Sequence, residues 1–199
     1  MDTACTVPDP DTLAAHAPIL SSDGTVLDTC APARRARLAC AIDGDTVDLE
    51  ACGTGERVRV LGINAPEIAH DGNPAECGSD AAAVALASLE GLTVTLSFDQ
   101  VCVDTYGRTL AWAWLEPDDV DDRLGPDLRL DAQAVLDDPP DAPVLLSAAF
   151  VVSGLARRYD PDWALPTRYD GPLAQAERQA RTAQSGVWGS CDSPDESSR

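Results

Sequence analysis

Leu38-Ala39-Cys40-Ala41-Ile42-Asp43-Gly44-Asp45-Thr46-Val47-Asp48-Leu49 reads as two short β-type segments, Leu38 to Ile42 and Thr46 to Leu49. They fold back on each other about Asp43-Gly44, a dipeptide that favours tight hairpin turns. Working outward, Arg57-Val58-Arg59-Val60-Leu61 alternates polar and apolar residues, the period-two signature of a half-buried strand. Arg57 and Arg59 therefore share one face, and Val58 and Val60 the other. Gly62-Ile63-Asn64-Ala65-Pro66-Glu67 follows as a turn, in which Pro66 biases Ala65 toward an extended backbone. Gly78-Ser79-Asp80 offers a helix cap, Ala81 to Leu89 is alanine- and leucine-rich, and Gly91 stops it. Leu92 to Phe98 alternates again. Arg108 to Leu115 predicts a further strand with Leu110, Trp112 and Trp114 on one face. Helices are expected over Val144 to Ala156, ending near Gly154, and over Pro172 to Thr182. The expected class is α+β.

The chain has 199 residues, enough for one domain with appendages, and 44% apolar residues support a real core. No run approaches the ~18–20 apolar residues a membrane helix needs; the longest candidate, Val144 to Ala156, carries Ser147, Ser153 and Gly154. Residues 1–35 read as an irregular extension with Pro8, Pro10 and Pro32, and 190–199 as a polar tail. Residues 116–143, rich in Asp and Pro, lack the glycine and closing glutamate of an EF-hand loop and read as a solvated insertion.

The formal charge is −20, with no lysine, so every cationic side chain is an arginine. Such a field repels polyanions, because affinity for nucleic acid rests on lysine and arginine neutralising phosphates. Composition alone argues against a nucleic-acid enzyme. Divalent cations can supply positive charge that side chains lack, and an acidic, lysine-free surface suits a saline habitat, where repulsion is screened over ~3 Å at molar salt.

None of the seven cysteines forms a CxxC pair, which gives zinc little support. Scattered cysteines fit disulfides and an oxidising compartment, with at least one thiol left over. Cys77, at the start of the first expected helix, and Cys102, just before Asp104, lie between Glu67 and Arg108 and are expected to pair; Cys40 with Cys52 across the first hairpin is the second expected pair. Met1-Asp2, with no basic segment or apolar stretch after it, is not expected to begin a signal peptide. The chain is read as a mature extracytoplasmic protein, secreted or periplasmic, with an added start methionine; a cytosolic origin is the alternative.

Four segments in fixed order carry the chemistry: Asp43-Gly44-Asp45-Thr46; Arg59 through Gly62-Ile63-Asn64-Ala65-Pro66-Glu67; Asp104-Thr105-Tyr106-Gly107-Arg108; and Gly154-Leu155-Ala156-Arg157. Phosphodiester hydrolysis needs a cation on a non-bridging oxygen, a base for water and cations for developing charge. Asp45 and Asn64 offer oxygens suited to a hard ion, Glu67 can take a proton from water, and Arg59 and Arg108 can fork onto a phosphate.

Together the segments resemble the staphylococcal nuclease family, over roughly 36–189 without 116–143. Ala176-Glu177 and Gly186-Val187-Trp188 look like its closing helix and Trp-bearing end. The resemblance implies a five-stranded OB-type β-barrel with about three helices. It also implies Ca²⁺ held by Asp45, Asn64, the Ala65 carbonyl and Glu67, catalysis by Glu67, Arg59 and Arg108, and nucleotide contacts from Tyr106 and Tyr159. DNA or RNA would be cut to 3′-phosphates by a chain expected to be monomeric, with single strands or open duplex favoured by the acidic shell. Asn64 stands where a compared family member has aspartate, which implies weaker calcium binding. Thr105 replaces a lysine, and that relative's basic surface is absent.

Plainer readings compete. Asp43-Gly44-Asp45 can be a structural turn, Arg59 and Arg108 surface charges, Glu67 a capping carboxylate and Tyr106 barrel packing. His16 and His70 read as incidental, and Trp112, Trp114, Trp163 and Trp188 as core or rim. The rival functions are a non-catalytic OB-type binding module and a calcium-binding acidic surface protein.

Overall fold

The structure, a computed structural model, describes residues 19–20, 26–27, 29–159 and 168–192. Most of the N-terminal extension and polar tail, with Cys5, His16 and Trp163, lies outside the described residues. Two short antiparallel strands, β1 (Ile19–Leu20) and β2 (Val26–Leu27), precede the main body.

The barrel is built from β3 (Arg34–Ala41), β4 (Thr46–Leu49), β5 (Glu56–Val60), β7 (Thr93–Ser97) and β8 (Thr109–Leu115), with the short β6 (Ile63–Asn64) between. Adjacent strands run β5-β4-β3-β7-β8, and a parallel pairing of β5 with β8, Val58 opposite Thr109, closes the ring. Five strands thus leave no open edge between β5 and β8, which removes the hazard of unpaired backbone groups. The alternation in β5 holds: Val58 and Val60 are buried, while Arg57 is exposed and Arg59 half-buried. Trp112 and Trp114 are both buried and meet the edge of Tyr169 at 4.9 and 5.6 Å between ring centroids.

Six helices accompany the barrel among the described residues. The first, α1 (Ser79–Ala87), starts from Gly78 in the left-handed region and has no side-chain cap, so the expected Ser79 or Asp80 cap is corrected. Ala82 and Leu86, one turn apart, face the core. The acidic stretch read as a solvated insertion carries two helices, α2 (Pro117–Arg123) and α3 (Pro126–Leu136). Each has proline at its start and at least one aspartate in its first turn, an arrangement suited to the free N–H groups and positive end of a helix. Val120, Ala132 and Val135 are buried beneath their charged outer faces. The expected helix over Val144 to Ala156 is shorter, because β9 (Val144–Leu145) first pairs with Trp114 and Leu115 of β8. Then α4 (Leu146–Val152) runs to Ser153. β10 (Arg157–Arg158) pairs with β6, α5 (Asp170–Ala183) packs on α4, and α6 (Val187–Ser190) ends the described chain.

Three disulfides are present among the described residues. Cys40–Cys52 spans the first hairpin as expected. Cys77 does not pair with Cys102: Cys77 bonds Cys191, and Cys102 bonds Cys30. The reason is tertiary. The Cys30 N–H donates to the Asp99 carbonyl at 2.7 Å, setting Cys30 beside the loop that carries Cys102. A methyl on Gly78 would stand 2.5 Å from Val187 Cγ1, and this close approach lays α6 on the start of α1. Cys77–Cys191 bridges a separation of 114 residues and Cys40–Cys52 only 12. Loop-closure entropy therefore predicts losses of about 4–5 and about 3 kcal/mol for the respective Cys→Ser pairs. Urea denaturation of both double variants checks this; an equal or reversed order would refute the loop-length argument.

Candidate active site

The Asp43–Thr46 turn is held by Asp43 Oδ1, which accepts the N–H of Asp45 at 2.9 Å and of Thr46 at 2.7 Å. Gly44 lets this turn press inward: a methyl there would stand 2.5 Å from Ala65 Cβ and 2.7 Å from Ala82 Cβ. The approach sets the buried Asp45 against the segment after β6, where the Ala65 N–H donates to Asp45 Oδ2 at 2.8 Å. Thr46 Oγ1 donates to Asp45 Oδ1 at 3.1 Å.

Arg59 enters from β5, opposite Thr46 in the ladder. Its Nη1 lies 3.0 Å from Asp45 Oδ2, and Nη2 donates to Asn64 Oδ1 at 3.3 Å. The guanidinium stands 5.7 Å from the ring centre of Tyr159, whose N–H is fixed on the Gly62 carbonyl at 3.0 Å. Gly62, at φ +78°, makes the turn between β5 and β6, and a methyl there would meet Trp112 and Leu173 at 2.5–2.6 Å. Only glycine fits so tight a reversal, and the reversal places Asn64 beside Arg59.

Glu67 follows Pro66 and is anchored through its backbone. Its N–H donates to Glu76 Oε2 at 3.1 Å, and its carbonyl accepts the Glu76 N–H at 2.9 Å. Partial burial raises its carboxyl above the usual range, and Asp43 adds to this, while His70 and Arg59 pull it down. Burial pushes Asp45 up to about 6; Arg59 opposes that shift and Asp43 reinforces it. Asp43, Asp45, Arg59 and Glu67 thus act on one another electrostatically.

Arg108 sits at the head of β8, two residues before Leu110, the parallel partner of Arg59. There Asp104 holds it: Arg108 Nε to Asp104 Oδ2 is 2.7 Å, and Oδ1 accepts the N–H groups of Tyr106 and Arg108 at 2.9 Å. The guanidinium lies 5.5 Å from the ring centre of Tyr106, which is exposed rather than packed in the barrel. Direct contacts therefore join Asp45, Arg59, Asn64 and Ala65. Glu67 shares their field, and Arg108 with Tyr106 forms a second group on the neighbouring strand. Trp112, Trp114 and Trp188 are buried.

Among the described residues no three His, Cys, Asp or Glu side chains gather closely enough to hold a metal by themselves. By chemistry, the Asp45 carboxylate, the Asn64 amide oxygen, the Ala65 carbonyl and Glu67 are all oxygens suited to a hard divalent ion, and a cation's charge would offset the burial that disfavours charge on Asp45. Sequence reasoning missed three supporting residues. Asp43 reads from the sequence as part of a turn motif with no role of its own, yet it bears on both carboxyls; Asp104 positions Arg108, and Glu76 anchors Glu67. The i,i+4 spacing of Asp104 and Arg108 was a usable signal; nothing in the sequence marked Glu76.

A pH effect follows for the metal-free protein. Folded Asp45 binds its proton more tightly than the unfolded chain, whose value is 3.8, so its contribution to stability is full below 3.8 and lost as pH rises through about 6. In EDTA, the Tm of the parent should therefore rise relative to that of Asp45→Asn as pH falls from 7 to 4. A difference between the two that does not change with pH would refute this.

A sequence model described as staphylococcal nuclease homologue matches residues 57–190. A thermonuclease of Staphylococcus intermedius is 39% identical over 75 residues, covering 37% of this chain and 45% of that protein. A thermonuclease of Staphylococcus hyicus is 26% identical over 150 residues, 74% of this chain and 71% of that protein. An uncharacterized protein of Bacillus anthracis is 36% identical over 74 residues, 36% of this chain and 35% of that protein. The chain thus spans less than half the length of the Staphylococcus intermedius protein.

Proposed function

The chain belongs to the staphylococcal nuclease homologue family, and on that footing we propose that it is a calcium-dependent phosphodiesterase that cleaves DNA or RNA to 3′-phosphate products. The observation that carries this reading is Arg59, forked between Asp45 and Asn64 at 3.0 and 3.3 Å with Glu67 in the same field. Ca²⁺ on Asp45, Asn64, the Ala65 carbonyl and Glu67 would polarise a phosphate oxygen. The chain's own residues do the rest. Glu67 accepts the proton of the attacking water; its raised affinity for that proton, from burial and Asp43, makes it a better base at neutral pH than an exposed glutamate. Arg59 and Arg108 meet the charge that develops on the phosphate, and each guanidinium is faced by a tyrosine, Tyr159 and Tyr106, placed to contact the nucleotide. Three disulfides support action outside the cytoplasm, since such bonds persist in oxidising compartments. The family's domain is taken to run over 36–189, and the protein to work as a monomer.

Digestion of single-stranded DNA, RNA and duplex DNA with Ca²⁺, Mg²⁺ or EDTA tests the reading. Cleavage in Ca²⁺ should fall at least ~100-fold in EDTA. Equal cleavage with and without chelator sinks the metal-dependent mechanism. Strand binding without cleavage under every condition replaces it with a non-catalytic binding module.

A further inference from the structure

Glu67 stands at the mouth of a loop whose residues 69–75 are exposed. Among the described residues the hydrogen bonds of that stretch stay inside the loop. The Asn73 N–H donates to the His70 carbonyl at 2.8 Å, and His70 Nδ1 lies 2.9 Å from the Ile68 carbonyl. The loop closes where Glu67 and Glu76 bond each other at 3.1 and 2.9 Å. Hydrogen bonds beside an exposed loop open at little cost, so the place of the Glu67 backbone depends on what holds Glu76.

Cys77 is the next residue, and its bond to Cys191 ties it to a segment 114 positions away. That segment is itself fixed. The Cys191 N–H donates to the Val187 carbonyl at 3.1 Å, the Val187 N–H donates to the Gly154 carbonyl at 3.0 Å, and Val187 is buried. On the other side of Cys77, Gly78 lies between Val187 and Pro66: a methyl there would stand 2.5 Å from Val187 Cγ1 and 3.6 Å from Pro66 Cγ. The residue before Glu67 and the residue after Cys77 are therefore both packed close to α6. Cys40–Cys52, by contrast, spans a hairpin whose strands a backbone ladder already joins.

We propose that the Cys77–Cys191 disulfide is a positioning element for Glu67: it fixes Glu76 to α6, and through Glu76 it holds the base in place. The proposal rests on the nuclease reading for the role of Glu67, but the hold itself can be measured without turnover. Three variants are compared with the parent below their melting transitions: Cys77→Ser/Cys191→Ser, Cys40→Ser/Cys52→Ser, and a chain with two glycines inserted between Ser190 and Cys191. The insertion keeps the bond, and with it most of the loop-closure stability, but slackens the tether, so it decides the matter even if the first variant fails to fold. In EDTA, amide exchange at Glu67 should quicken about tenfold or more in the first and third variants, as a locally opened bond requires, and stay at the parent's rate in the second. In Ca²⁺ the same two should lose about 10–100-fold in kcat with KM within about twofold, since a displacement near 1 Å can cost ~10². Unchanged Glu67 exchange in the slackened chain, or an equal loss of kcat in Cys40→Ser/Cys52→Ser, would overturn the proposal. Quickened exchange in a protein whose parent never cleaves sinks the nuclease reading and leaves the tether standing.

Discussion

Glu67→Gln is expected to lower kcat by about 10²–10⁴-fold, the usual worth of a positioned general base, while leaving the fold intact. The amide keeps the shape of the side chain but cannot take a proton. The fold holds Glu67 by its backbone, through the reciprocal bonds to Glu76 at 3.1 and 2.9 Å, and these survive the substitution. Burial and Asp43 both disfavour charge at this position, so neutralising it should hold or raise the metal-free Tm. Activity and stability should therefore part company. In the parent, kcat should fall as pH drops through the raised value of Glu67, because the base becomes protonated; the variant should lack that limb. Single-turnover rates between pH 4 and 8, alongside thermal melts, read both effects. A kcat within a few-fold of the parent's would remove Glu67 from the chemistry.

Arg59→Lys should cost about 10²–10³-fold in kcat, the range for losing one preorganised charge donor in the transition state. Lysine keeps the charge but not the fork. One ammonium group cannot reach Asp45 Oδ2 and Asn64 Oδ1 as Nη1 and Nη2 do at 3.0 and 3.3 Å, nor offer a phosphate two parallel donors. Arg59→Ala would add a fault of another kind, since removing one partner of a buried pair costs about 3–5 kcal/mol, and Asp45 is buried. The lysine variant separates chemistry from folding. Kinetics on a single-stranded substrate, with kcat and KM resolved, check the claim; a change confined to KM would make Arg59 a substrate anchor only.

How far the residues spoke for themselves differs by element. The hairpin about Asp43-Gly44, the alternation of Arg57 to Val60 and the helix near Ala81 were legible because each is written in neighbours one to four positions apart. So was the fixed order of the segments that carry Asp45, Arg59, Asn64 and Ala65, residues that the structure brings into contact. The two helices of 116–143 were legible only in part. Proline openings and the inward set of Val120, Ala132 and Val135 were present, but the density of aspartate concealed them.

By itself, the sequence determined the five barrel strands, the turn chemistry and the kinds of side chain available for catalysis, because these depend on local backbone preference and side-chain period. Only the tertiary structure decided the partners. Cys102 joins Cys30 because the antiparallel ladder of β3 on β7, Arg34 opposite Leu96, runs the residues before β3 alongside that loop. Cys77 joins Cys191 because Gly78 leaves room for Val187. Arg59 finds Asp45 and Asn64 because Gly44 and Gly62 allow backbone contacts that no side chain would. Such pairings span tens of residues, and closing so long a loop constrains spacing only weakly; close packing selects the partner.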